Sequence, residues 1–173
     1  VTELDALLAA NRRYAATFDR SGEGEKPAPP ARKLAVLCCM DARMQPEAFL
    51  GLALGDAHLI RNAGGRASDD AIRSLVISTH LLGTREIVVI HHTSCGMMSF
   101  SNDDLRAQLR RDLGADAAGI DFLPFADLEQ SVRDDVQTIR SSRLLPRDIT
   151  VAGMVYDVRT GEIRLPTSSL PDQ

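Results

Sequence analysis

The chain has 173 residues, 44% hydrophobic and 25% charged, a balance that fits a globular domain with a substantial core and excludes wholesale disorder. A formal net charge of −4 argues against a general nucleic-acid binder, and no apolar run approaches the roughly 20 residues a membrane-spanning helix needs. Three cysteines, two of them adjacent, make a poor disulfide framework, so a reducing, cytoplasmic setting is expected, with the thiols used for metal binding or catalysis.

The opening "VTELDALLAANRRY" lacks a basic segment followed by an apolar core, so no signal peptide is expected. Leu4, Leu7, Leu8, Tyr14 and Phe18 form a helical stripe over residues 2–18, with Thr2 as its cap. "DRSGEGEKPAPPARK" then breaks the periodicity and reads as an extended arm. "LAVLCC" is a buried strand, and "PEAFLGLALG" a short helix with Pro46 in its first turn and Gly51 and Gly55 limiting its length. "AHLI" is a second strand, leading into the glycine turn "RNAGG". Ser68 caps the helix "DDAIRSLVISTHLLG", whose inner face is Ile72, Leu75, Val76 and Thr79 and which Gly83 terminates.

"EIVVIHH" has the continuous apolar character of a strand covered on both faces. Helical patterns follow in "NDDLRAQLRRDLG" and in "DLEQSVRDDVQTIRSS", where Leu128, Val132, Val136 and Ile139 are in register. "ITVAGMVYDVRTGEIRLP" gives two strands joined near Thr160-Gly161, most simply a hairpin. The expected fold is therefore α/β: a central, mainly parallel sheet with an antiparallel C-terminal edge, flanked by helices. One domain is expected over 1–173, with helix and arm to residue 33 and the core from 34 onward.

In open parallel sheets, ligands collect beyond the carboxyl ends of the strands. Cys39, Asp41 and Arg43 lie at and just past the end of the first strand, and His92 and Cys95 hold the same place after the third. If those strands are neighbours, the two sets converge on one crevice. Two thiolates and an imidazole suit zinc, with a fourth tetrahedral position left open or taken by oxygen.

These residues also resemble a known family. "CMDAR" is similar to the Cys-x-Asp-x-Arg motif of the β-class carbonic anhydrases and "HTSC" to their His-x-x-Cys, in the same order and spacing, with "RNAGG" resembling the Arg-Asn-Ala-Gly stretch between them. The resemblance runs from about Lys33 to Met97 and more loosely to the C-terminal hairpin. It implies a zinc enzyme that reversibly hydrates carbon dioxide to bicarbonate and a proton through a zinc-bound hydroxide. Cys39, His92 and Cys95 would be the metal ligands. Asp41 would accept a hydrogen bond from the hydroxide, held in place by Arg43. It further implies a homodimer or dimer of dimers, and Asp41 as a conditional fourth zinc ligand at low pH.

Other readings stand beside it. Carbon disulfide or carbonyl sulfide hydrolysis fits the same fold, and a non-catalytic zinc or thiol redox sensor belongs to another class. Cys38 and His91 read as buried structural residues, and His58 and His80 as structural or surface. "RNAGG" lacks the spacing and lysine of a phosphate loop and reads as a turn shaping the pocket wall. Three departures from the family pattern stand out. "PAPPARK" lacks the glutamine common before the first strand, and Met97 replaces a glycine. The chain also has no tryptophan, which an inhibitory bicarbonate pocket in some members requires even where, as with Arg61 here, its arginine has a counterpart. Without that pocket, Asp41 is expected to stay on Arg43 near neutral pH.

Overall fold

The structure, a computed structural model, describes residues 2–18 and 23–167; of the expected arm, residues 19–22 lie outside it. Helix α1 (Glu3–Thr17) starts at a capping box in which the Thr2 hydroxyl accepts from the Asp5 amide and the Asp5 carboxylate accepts from the Thr2 amide. None of its residues is buried within this chain. The later part of the arm lies against the segment before the second strand, the amides of Ala31 and Arg32 donating to the carbonyls of Gly55 and Asp56.

Among the described residues, five strands form one sheet in the order β2 (Ala57–Asn62), β1 (Leu34–Cys39), β3 (Glu86–His92), β4 (Thr150–Tyr156), β5 (Ile163–Arg164). β1 runs parallel to both β2 and β3, and β3 runs parallel to β4. β5 returns antiparallel on β4, the expected hairpin. β1 and β3 match the apolar runs because a central strand covered on both faces has no alternation to blur its ends. β2 runs two residues past "AHLI", since its pairing with β1 continues to Cys39 opposite Asn62.

Strand alternation divides the interior into two apolar clusters. Ala35, Leu37, Ile87, Val89 and Val151 pack with Ala71 and Leu75 of α3 (Asp69–His80) and Ile139 of α5 (Leu128–Ser141). Val36, Cys38, Val88 and Ile90 pack with Met44, Met97 and Tyr156, and with Phe49 of α2 (Pro46–Leu50). Gly51 ends α2 as expected, a left-handed C-cap whose amide closes on the Glu47 and Ala48 carbonyls, whereas α3 stops at His80, short of Gly83, where the Leu81 amide closes the last turn on Ile77. α4 (Asn102–Leu113) carries no buried residue and lies outside both clusters.

Candidate metal centre

The β1–β3 pairing puts the two halves of the motif side by side. Cys39 ends β1 and His92 ends β3, with Cys95 three residues beyond, and ligand atoms of all three lie within 4.8 Å of one another. All three residues are buried. The sulfurs of Cys39 and Cys95 are 4.0 Å apart.

The donors are prepared for a cation. His92 Nδ1 lies 2.9 Å from the Thr93 carbonyl, which only accepts, so that nitrogen carries the hydrogen and Nε2 presents a lone pair. His92 Nε2 is buried and has no hydrogen-bond partner among the described residues. A buried polar atom left without a partner is costly, and one aimed at two thiols is what a metal ligand looks like. The Cys39 thiol is drawn well below the ordinary thiol range, first by the hydrogen bond from Cys95, against burial, with help from His92 and the amides of Asp41 and Gly64. Cys95 is pushed the other way, first because it shares its proton with that thiolate and then by burial. The two thiols thus hold one proton between them, with Cys39 the more readily ionised. Burial works against charging His92, but the contacts with Cys39, the Thr93 carbonyl and Asp41 outweigh it and raise its affinity for a proton. A soft donor set of two sulfurs and one imidazole fits zinc.

Asp41 stands at the rim of the cluster. Its Oδ1 accepts from the Arg43 amide and Nε, each at 2.9 Å, and its Oδ2 accepts from Arg43 Nη2 at 2.7 Å. Arg43 Nη2 also donates to the Ser94 carbonyl at 3.0 Å, tying the loop after β1 to the loop after β3. These bonds hold the Asp41 carboxyl well below the ordinary range, so it is ionised throughout neutral pH. Asp41 Oδ2 is 3.7 Å from His92 Nε2. Beside it lies a cavity of about 180 Å³ whose walls include Met40, Ala63, Gly64 and Met97. "RNAGG" therefore does shape the pocket wall.

Other residues fall where their surroundings put them. Cys38 is fully buried among apolar side chains outside the cluster, and burial pushes its thiol up to about 12. His58 pairs with Ser78 and the Ala28 carbonyl, and His80 with the Leu144 carbonyl. Arg61 braces the loop that carries Asp41, with Nε on the Cys39 carbonyl at 3.0 Å and Nη2 on the Asp41 carbonyl at 2.8 Å. Its place at the penultimate position of β2, beside the motif strand, is the sequence signal for that role.

Comparison with known proteins gives the same family. The carbonic anhydrase family profile matches residues 34–163. β-Carbonic anhydrase 1 of Mycobacterium tuberculosis is 39% identical over 165 residues, covering 94% of this chain and 97% of the relative. A carbon disulfide hydrolase of Acidithiobacillus thiooxidans is 35% identical, covering 80% of this chain and 79% of its own length. The crystal structure of carbonic anhydrase from Streptococcus mutans superposes with a TM-score of 0.91 at 47% identity, over 96% of this chain and 99% of that one. With the paired motifs, the sheet order and these matches in agreement, the chain belongs to the β-class carbonic anhydrase family.

Proposed function

We propose that the chain reversibly hydrates carbon dioxide to bicarbonate and a proton, with zinc held by Cys39, His92 and Cys95 and with Asp41 and Arg43 as the catalytic pair. The observation that carries this reading is the buried, partnerless Nε2 of His92 facing two thiols beside a carboxylate that Arg43 holds by three hydrogen bonds. When bound, zinc supplies a Lewis acid that makes water a usable nucleophile near neutral pH.

The protein's own groups do the rest. The Thr93 carbonyl fixes the His92 tautomer. Asp41 Oδ1 is engaged twice by Arg43 and Oδ2 once, so Oδ2 keeps acceptor capacity for one more donor. A nucleophilic oxygen that donates its hydrogen there turns a lone pair toward the substrate carbon. Arg43 keeps the carboxylate in that pose. The methionine-flanked cavity suits a small, uncharged, linear molecule better than a hydrated ion.

A second reading is hydrolysis of carbon disulfide, supported by the relative of that name at 35% identity. Side-by-side rates on carbon dioxide and carbon disulfide separate the two. A purely structural zinc or thiol sensor has no use for a carboxylate held ionised at the rim of the metal position. The reading also places the chain in a reducing compartment such as the cytoplasm, because oxidation of Cys39 and Cys95 would remove two ligands. It includes association as a homodimer or dimer of dimers.

A further inference from the structure

Behind the cluster lies a second buried polar group that the proposed reaction does not use. Alternation along β3 sends His92 to the metal side and His91 to the α5 side of the sheet, where its side chain is fully buried. His91 Nε2 lies 3.1 Å from Asp135 Oδ2 and 3.2 Å from the Gly65 carbonyl; both only accept, so Nε2 donates. His91 Nδ1 is 2.7 Å from the Ser131 hydroxyl. Asp135, with its side chain 5% exposed, also accepts from Arg66 Nε at 2.7 Å and Nη2 at 3.3 Å. Phe125 stacks on the His91 ring and lies under the Arg66 guanidinium.

The sheet's own pairing explains why such a group is needed. The β1–β3 ladder ends at Cys38 opposite Ile90, whereas β1 stays paired with β2 to Cys39 opposite Asn62, and β3 with β4 to His92 opposite Tyr156. At its top the sheet therefore divides into two halves, and Cys39 and His92 stand on opposite sides of the division. The polar group spans it. Arg66 follows the turn after β2, and Gly65 of that turn lies so close to the Cys38–Cys39 backbone that a Cβ there would come within 2.9 Å of both Cys38 C and Cys39 N. His91 belongs to the other half. Asp135 reaches from α5 to hold one member of each.

We propose that Asp135 is a positioning residue of the metal centre, setting the separation of Cys39 from His92 through Arg66 and His91. This rests on the zinc reading above. The test is the zinc dissociation constant, by competition with a chromophoric chelator below the melting temperature of the metal-free protein, together with the absorption spectrum of the cobalt(II)-substituted protein. Asp135→Asn is expected to weaken zinc binding about tenfold, the lower end for outer-shell partners, and to move the cobalt–thiolate bands. A role in stability alone would lower the melting temperature and leave both readouts unchanged. Ser131→Ala is the gentler arm, removing the Nδ1 partner of His91 together with a local bond to the Leu128 carbonyl within α5, with an expected loss of about threefold for the one hydrogen bond to His91. If Asp135→Asn does not fold, Ser131→Ala decides by the same two readouts. Wild type that binds zinc, with folded variants of equal affinity and unaltered cobalt spectra, overturns the proposal alone. Wild type that binds no zinc overturns the reading beneath it as well.

Discussion

Asp41 and Cys95 carry opposite expectations, although their side chains stand beside the same cavity. Asp41→Asn should keep zinc but lower the hydration rate by about 10²–10⁴-fold, because an amide presenting NH₂ cannot accept the nucleophile's hydrogen. Stopped-flow rates on protein of measured zinc content check this. Cys95→Ser should lose metal and activity together, a hydroxyl being a poor replacement for thiolate, while Cys38→Ala should keep its metal. Metal loss on changing Cys38 would show that Cys38, rather than Cys39, is the ligand. Asp41 also bears on pH. Since Arg43 holds it well below the ordinary carboxylate range, it contributes no ionisation near neutrality. The pH–rate profile should follow a single proton, and a steep, cooperative slope would show that Asp41 leaves Arg43 and moves onto the metal.

At the scale of elements, the turn after β2 is the most sensitive joint. Gly65 combines φ +69° with backbone contact to Cys38 and Cys39, so Gly65→Ala should destabilise by roughly 1–3 kcal/mol and reduce zinc content, read by urea unfolding and metal analysis. α5 brings a pH-dependent element. Burial opposes ionisation of Asp135, but His91 and Arg66 outweigh it and depress its folded value. Its stabilisation is therefore present above the unfolded carboxylate value of about 3.9 and is lost as pH falls through the lower folded value. Asp135→Asn should flatten the acid limb of the stability curve, and an unchanged limb would contradict that coupling.

The same elements show what was legible in the sequence. "LAVLCC" and "EIVVIHH" announced their strands and the residues at their ends, because burial on both faces leaves an uninterrupted apolar run. "RNAGG" was readable as a turn, but its contact with Cys38–Cys39 arises from packing between β-strand neighbours, which local pattern does not encode. No local motif distinguishes Asp135 from Asp134. The phase of α5 held the signal, since Asp135 lies three residues after Val132 and four before Ile139 and so shares their buried face.

For the molecule as a whole, α1 is the piece that its own chain does not explain. Leu4, Leu7 and Leu8 are 64%, 59% and 49% exposed, an apolar face that pays its way only against another surface. Sedimentation should find a dimer or a dimer of dimers, and a stable, fully active monomer would contradict the proposed association. No helix among the described residues is long and apolar enough to cross a membrane. The central claim, that the carboxyl ends of β1 and β3 hold a zinc centre hydrating carbon dioxide, is tested most directly by stopped-flow hydration on protein of known zinc content, with carbon disulfide run in parallel. The expected result is about one zinc per chain and a hydration rate that scales with zinc and disappears on chelation. Fully zinc-loaded protein that hydrolyses carbon disulfide but leaves the hydration of carbon dioxide at its uncatalysed rate would contradict it.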